Sequence, residues 1–300
     1  MNVPICEPSA DPAMMCWICG SHSFVQIRES KLSKTVNSSD FRITDAGYGI
    51  TASVFRCLQC SFNQCGDLGE VLSFYEGMSD PGYEQTRDAR LFQARKLVNQ
   101  IKKYCSSGRF LDVGAGSGIL VEEAIKSGFQ VKGIEPSAWL TDRAKARGLP
   151  VHHGTLPNPD IVPGFDVVTL IDVIEHVTNP MGLLREMRDA MADNGIAVIV
   201  TPDVRSWAAR VLGWNWWHYR IAHISYFSRA TLSLALKRAG LTPLSWSRPT
   251  WYLPGDYVAT RLASYLPRGL RPQAPKVLRR VTVPLNLFDS WLVVARKDKP

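Results

Sequence analysis

Arg109-Phe-Leu-Asp-Val-Gly-Ala-Gly-Ser-Gly118 decides how the whole chain is read. Its apolar half, Phe110, Leu111 and Val113, has the pattern of a short buried strand. Gly114, Gly116 and Gly118 then let the backbone turn tightly and approach a ligand closely. The run from Ile119 to Ser127 reads as a helix that opens directly from the turn. Strand, glycine turn and helix start together aim backbone N–H groups, and the positive end of the helix dipole, at whatever occupies the loop. The stretch predicts a nucleotide-like cofactor.

The glycine spacing narrows the choice. A dinucleotide fingerprint runs G-x-G-x-x-G, whereas here the third glycine comes one position early, at Gly118, and Ile119 takes its slot. Asp112 sits at the strand end, where an acid suits a cationic amino-acid moiety; S-adenosylmethionine carries one and NAD does not. LDVGAGSG resembles motif I of the class I S-adenosylmethionine-dependent methyltransferases. The resemblance implies a Rossmann-like, seven-stranded α/β fold and places S-adenosylmethionine against Asp112, Gly114, Ala115, Gly116 and Gly118.

With 300 residues and 45% apolar content the chain is long enough for an α/β core and a small accessory module. The net charge of +8 is uneven: residues from Arg229 onward carry +10 and the preceding residues −2. A basic, aromatic C-terminal part suits a membrane surface, an anionic substrate or nucleic acid, and equally a solvated basic face. The chain has no run of 18 apolar residues, and MNVPICEPSADPAMM at its start lacks a basic segment followed by an apolar one. These features predict a soluble, cytoplasmic protein with peripheral contact at the inner membrane surface through the basic part.

Seven cysteines, four of them in C-x-x-C pairs, suggest metal ligation in a reducing compartment rather than a disulfide framework. Cys16 and Cys19 form one knuckle, Cys57 and Cys60 the other, and two knuckles make a closed structural zinc site with no position left for catalytic water. The 37 residues between the knuckles contain Tyr48, Ile50, Val54 and Phe55, which suit short strands. Cys65 is a fifth thiol near the second knuckle, and Cys6 and Cys105 read as unpaired. The module resembles, in architecture alone, the N-terminal zinc-binding domain of some sugar C-methyltransferases, in which a Tyr-rich connector follows; here it holds Phe74, Tyr75 and Tyr83.

From Tyr83 to Tyr104, apolar residues at i, i+3 and i+4 predict one helix before the first strand of the large sheet. After the glycine loop, Gln130–Glu135 reads as a second strand ending in an acid that can accept both ribose hydroxyl protons; the alternative is an acid that caps the helix begun at Pro136 and Ser137. Val151–His153 reads as a third strand, with structural roles for His152 and His153. Gly154-Thr155-Leu156 falls where the family contacts adenine, at a position where many members carry an acid. The resemblance extends the cofactor set to Glu135, Pro136, Thr155, Leu156 and Asp172.

Phe165-Asp-Val-Val-Thr-Leu-Ile-Asp172 is apolar enough for a strand covered on both faces, and it runs into Val173-Ile-Glu175-His176. Ligands of doubly wound sheets lie beyond the carboxyl ends of the strands, so Asp172, Glu175 and His176 should share a rim with the glycine loop. Three readings compete. A helical turn would put the three on one face to hold a divalent ion, resembling the E-x-x-E-H site of ubiquinone-type O-methyltransferases. His176 could instead be a general base for an acceptor hydroxyl, or Glu175 and His176 could simply brace the loop.

Asn179-Pro180 then starts a helix to about Ala192, Asp193-Asn-Gly195 turns the chain into a strand, and Thr201-Pro-Asp203 ends it. This order of motifs resembles the UbiG-like methyltransferases from about Gly108 to Ser247. Gly213-Trp-Asn-Trp-Trp-His218-Tyr219 suits an acceptor wall or lid, or buried packing. His223 resembles the histidine that precedes the Y-F-S helix cap of that family and ranks with His176 as a base or metal ligand; His218 ranks below both. Ser228 caps a helix from Arg229 to Ala239. Leu241–Ser247 and Ser290–Arg296 read as the last two strands, with a basic, proline-punctuated insertion at about 250–288.

The sequence therefore predicts a zinc-binding module over 1–75, a connector helix over 76–107 and a methyltransferase domain over 108–300. The expected activity is S-adenosylmethionine-dependent methyl transfer, with His176, His223, Glu175 and Asp172 as candidate catalytic residues, to the oxygen of a small molecule, sugar or lipid-linked glycan. An RNA-directed methyltransferase or nucleic-acid binder, and a non-catalytic scaffold, are the alternatives.

Overall fold

The computed structural model describes residues 14–298 except 33–35, 46, 67, 69–70, 264–265, 271, 273–274, 276 and 279–280. Cys6 and the start of the expected zinc module lie outside the described residues.

Strands β1 (Phe24–Arg28), β2 (Val54–Cys57) and β3 (Asn63–Cys65) form an antiparallel sheet. Its fourth strand is not local: Ser225–Tyr226, from the far end of the chain, pairs with Asn63–Gln64. The N-terminal module is thus stitched by backbone hydrogen bonds to a segment expected to belong to the following domain. Cys65 lies within β3, buried in the core behind this sheet, and is not part of the knuckle cluster.

The connector is three helices rather than one: α1 (Leu72–Glu76), α2 (Pro81–Gln85) and α3 (Arg87–Ile101). Asp80 explains the break before α2. Its carboxylate accepts from the Tyr83 N–H to cap a helix that starts on Pro81, and from Thr44 N and Oγ1 in the N-terminal module. The short α2 is thereby held in place while α3 takes a new course at Thr86.

The strand Ser225–Tyr226 is β9, and the large sheet contains β4 (Arg109–Val113), β5 (Gln130–Glu135), β6 (Val151–His153), β7 (Phe165–Ile171), β8 (Met191–Pro202), β10 (Leu241–Ser247) and β13 (Ser290–Lys297). Its order is β10-β13-β8-β7-β4-β5-β6, parallel except for β13, which runs antiparallel to both β8 and β10. This is the expected seven-stranded fold. The Asp193–Gly195 turn is a bulge inside β8, visible as a register shift against β7.

Helices α4 (Ile119–Lys126), α5 (Ala138–Lys145), α6 (Pro180–Ala190) and α8 (Arg229–Arg238) follow their strands; α7 (Trp207–Leu212) lies between β8 and β9. One apolar core unites the α6 and α8 side of the sheet with Cys16, Ile18, Phe24 and Phe62 of the N-terminal module, and a second lies under α3 and α4. The order of strands reverses direction around β4, between β5 and β7, which opens a crevice at the carboxyl ends of β4 and β7.

The insertion adds a hairpin of β11 (Trp251–Pro254) and β12 (Thr282–Leu285), with α9 (Gly255–Ala263) between them. It docks on α3, where Tyr252 N donates to Gln93 Oε1 at 3.1 Å, and on the N-terminal module, where Arg261 donates to the Thr44 carbonyl at 2.7 Å. No described helix is long and apolar enough to cross a membrane.

Candidate active site

The glycine loop leaves β4 with φ values of +75° at Gly114, +55° at Gly116 and +78° at Gly118, a region that disfavours any β-carbon. A β-carbon at Gly114 would lie 2.5 Å from Val173 Cγ2, and one at Gly116 would lie 3.0 Å from Tyr83 Oη. The loop is tied to β5. Gly114 N and Ala115 N donate to the Ile134 carbonyl, and Gly116 N donates to Glu135 Oε2 at 2.8 Å.

Glu135 is buried, and its other oxygen accepts from Ser137 N at 2.9 Å. Each carboxylate oxygen keeps a further lone pair for a hydroxyl donor. Burial pushes this carboxyl up to about 7, against the pull of the Ser137 and Gly116 N–H groups. Asp112 is buried on the same side. It accepts from Thr169 Oγ1 at 2.6 Å and is also pushed up to about 7 by burial. Leu156 packs in the core, Thr155 is exposed, and the Pro136 carbonyl is engaged by His153 Nε2 at 2.9 Å. His152 pairs with Asp160 at 3.2 Å, so neither histidine of β6 reaches the crevice chemistry.

The resemblance implies a helix ahead of the sheet that closes over the cofactor; the sequence did not single out Arg87 and Arg90, which brace this closure. Tyr83 of α2 stands over Gly116, Arg90 lies 4.3 Å over the Tyr83 ring, and Arg87 donates to Ser117 Oγ at 3.0 Å.

At the end of β7, Asp172 takes φ +53°, and a single 3-10 turn, Ile174–His176, follows. This geometry corrects one expectation. Asp172 precedes the helical turn and does not join Glu175 and His176 on one face; His223 joins them instead, with one ligand atom from each of the three within 4.8 Å of the others. The Asp172 carboxyl, raised to about 6 by burial, interacts with His218 and Arg90. His218 Nε2 lies 3.3 Å from Asp289 Oδ2, a residue that sequence reasoning missed, and His218 holds the Asp289 carboxyl below its usual range although burial opposes it.

Glu175 is buried, and its Oε2 accepts from Thr201 Oγ1 at 2.9 Å while Oε1 has no hydrogen-bond partner among the described residues. His176 Nδ1 lies 2.8 Å from the Ala222 carbonyl, and its Nε2 lies 3.9 Å from Glu175 Oε1. The His223 ring meets His176 edge-on at 4.7 Å and is hydrogen-bonded by the backbone of His218. Burial lowers His176 to about 3 and His223 well below the usual imidazole range. Both rings are therefore neutral, weak bases with a lone pair to offer. Burial pushes Glu175 the other way, well above the carboxylate range, with the Asp172 charge adding to it.

Two neutral imidazoles, each hydrogen-bonded to backbone, and one carboxylate oxygen form a three-ligand set of the kind that leaves a divalent ion open positions. The chemistry of the donors fits such an ion. Within the aromatic run after β8, Trp216 and Tyr219 are buried and pack with Tyr226 against Phe41 and Val54 of the N-terminal module, while His218 stacks on His223 at 5.4 Å.

The four knuckle thiols also converge, with Sγ–Sγ distances of 3.6 Å for Cys16–Cys60 and 3.5 Å for Cys19–Cys57. A tetrahedron with Zn–S bonds of about 2.3 Å has edges of about 3.8 Å, so the four sulfurs fit zinc. Burial raises Cys16 to about 11 and Cys60 higher still, an environment in which only a bound cation makes thiolates of both.

Comparison with known proteins gives concordant matches. The family model described as a methyltransferase domain matches residues 83–245. The ubiquinone biosynthesis O-methyltransferase of Rhodopseudomonas palustris is 38% identical over 126 residues, 39% of this chain and 49% of that protein. The mitochondrial enzyme of that name from Schizosaccharomyces pombe is 31% identical over 121 residues, 37% of this chain and 44% of its own. The chain thus spans about half the length of the curated relatives it matches. Among solved structures, a chain of the complex between the Haloferax volcanii Trm112 methyltransferase activator and a methyltransferase aligns with a TM-score of 0.51 at 15% identity. The alignment covers 73% of this chain and 92% of that one, and it shows the fold alone.

Proposed function

The chain belongs to the methyltransferase-domain family, and on that premise we propose that it transfers the methyl group of S-adenosylmethionine to a hydroxyl oxygen of a small-molecule acceptor. The observation that carries this reading is the placement of Glu175, His176 and His223 beyond the carboxyl end of β7, beside the glycine loop after β4. The relatives named as O-methyltransferases support oxygen as the acceptor atom. The proposed domain division remains 1–75, 76–107 and 108–300.

The hydroxyl oxygen attacks the sulfonium methyl, the carbon–sulfur bond breaks, and S-adenosylhomocysteine leaves as a neutral thioether. The sulfonium is already electrophilic, so the protein's work is orientation and removal of the hydroxyl proton. A divalent ion on Glu175, His176 and His223, when bound, supplies Lewis acidity that lowers the hydroxyl pKa. His176 and His223 are too weakly basic to hold the proton themselves; they present lone pairs. Asp172 Oδ1, buried and without a hydrogen-bond partner among the described residues, is the acceptor for that proton on the same rim. Exposed Leu262, Leu266 and Leu270, in a stretch with no Asp or Glu between 257 and 288, support contact with a membrane surface or a lipid-borne acceptor.

Labelled methyl transfer to a panel of phenols, sugars and lipid-linked glycans, with the product's methyl located by NMR, tests the reading. His176→Ala and Glu175→Gln are each expected to lower kcat by about a hundredfold or more while S-adenosylhomocysteine affinity is kept. Unchanged turnover in both variants would remove this centre from catalysis.

Donor binding should also depend on pH. Ribose hydroxyls donate to Glu135, so they bind its ionised form, and a carboxyl raised to about 7 is half protonated there. S-adenosylhomocysteine affinity should therefore rise as the pH is raised through 7 and level off above it. Calorimetry across this interval should show the rise in the wild type and a flatter, weaker profile in Glu135→Gln.

A further inference from the structure

We propose that Tyr75 is a positioning residue for the divalent-ion centre: with the Ala222 carbonyl setting the Nδ1–H tautomer of His176, the Tyr75 hydroxyl ties ring and carbonyl together and keeps Nε2 turned toward Glu175 and His223. The inference rests on the ion site proposed above.

Three polar atoms meet behind the His176 ring. Nδ1 lies 2.8 Å from the Ala222 carbonyl oxygen and 2.6 Å from Tyr75 Oη, and Tyr75 Oη lies 3.2 Å from the same carbonyl. A carbonyl can only accept. Were Nδ1 unprotonated, its lone pair would face the Ala222 lone pairs at hydrogen-bond distance, so the proton must sit on Nδ1. The tyrosine hydroxyl then donates to the Ala222 carbonyl and accepts from Nδ1–H, which closes the triangle with every donor used. In a neutral imidazole this leaves the lone pair on Nε2, the nitrogen that faces Glu175 Oε1.

Tyr75 does not belong to the elements that carry the other three residues. It comes from α1, a five-residue helix with no side-chain cap. Its position is set by packing: Phe74 stacks on the buried Phe41 at 4.8 Å, and Tyr75 meets Phe41 edge-on at 5.2 Å and the His176 ring edge-on at 5.6 Å. These ring contacts would survive loss of the hydroxyl. The phenol oxygen is thus separable from the packing, and Tyr75→Phe removes it alone. Partners that orient a metal-bound histidine typically change metal affinity by about 10- to 100-fold.

Electron paramagnetic resonance of free Mn²⁺ gives the test, with each protein retaining its thiolate-bound zinc, for which Mn²⁺ competes poorly. Mn²⁺ is titrated into wild type, Tyr75→Phe and His176→Ala, and the melting temperature of each is measured without added Mn²⁺. The expected result is one Mn²⁺ site in the wild type, an affinity lower by about tenfold or more in Tyr75→Phe with unchanged melting, and loss of the site in His176→Ala. Wild-type affinity in Tyr75→Phe overturns the role of the hydroxyl and leaves the ion site standing. A melting temperature that falls together with affinity assigns the loss to packing and overturns the proposal as well. No Mn²⁺ bound by the wild type, or full binding by His176→Ala, overturns the ion site beneath it. S-adenosylhomocysteine binding, measured separately, reports whether the donor-site reading survives.

Discussion

Gly116→Arg is expected to abolish S-adenosylhomocysteine binding while the protein stays folded. Gly116 has φ +55°, and a β-carbon there would already press against Tyr83 Oη at 3.0 Å. The rest of an arginine side chain would extend past the Tyr83 ring at the loop where the donor is proposed to bind. The backbone penalty for a non-glycine residue in this region is about 1–2 kcal/mol, too little to unfold a two-core domain. Calorimetry should therefore show affinity reduced by at least about a hundredfold, equivalent to about 2.7 kcal/mol, with a melting temperature lowered by only a few degrees. Binding at wild-type strength would mean that the donor does not occupy the loop.

Cys57→Ser should have the second large effect, and it should reach beyond the knuckle. Cys57 is buried in the cluster with Cys16, Cys19 and Cys60, and it ends β2, whose pairing with β3 carries the strand Ser225–Tyr226. Knuckle carbonyls of Ile18 and Cys19 are also held by Arg238 of α8. Structural zinc contributes on the order of 10 kcal/mol to folding. Losing about 4 kcal/mol of that lowers the melting temperature by roughly 10 °C. Metal analysis should fall from about one zinc per chain to well below it, and methyl transfer should fall too, because His223 lies two residues before the shared strand. Full zinc content and unchanged melting would refute the four-thiolate site.

How much of this was legible in the sequence depends on distance along the chain. The glycine loop, the acid ending β5 and the run Asp172–His176 are local patterns, and the near-continuous apolar run of β7 announced a strand covered on both faces. The grouping of His176 with its partners was not local. Its contact with Ala222 spans 46 positions and that with Tyr75 spans 101, and no hydrophobic period encodes either. The reading that set Asp172 on one face with Glu175 and His176 assumed a helical turn starting at Asp172; a positive φ there redirects the chain, a conformation Asp tolerates better than most residues but that no spacing announces. The tryptophan run was ambiguous for another reason: wall and core use the same rings, and the choice was made by the N-terminal sheet that covers Trp216. A two-residue strand such as Ser225–Tyr226 is too short for any alternation to mark it.

A crystal structure of the wild-type chain with S-adenosylhomocysteine tests most directly whether one rim serves both donor and acceptor. The predicted result is ribose hydroxyls on Glu135, the amino-acid moiety near Asp112, and the thioether sulfur facing the side of Glu175, His176 and His223. A ligand bound away from the Gly114–Gly118 loop, or a sulfur turned from those three residues, would contradict it.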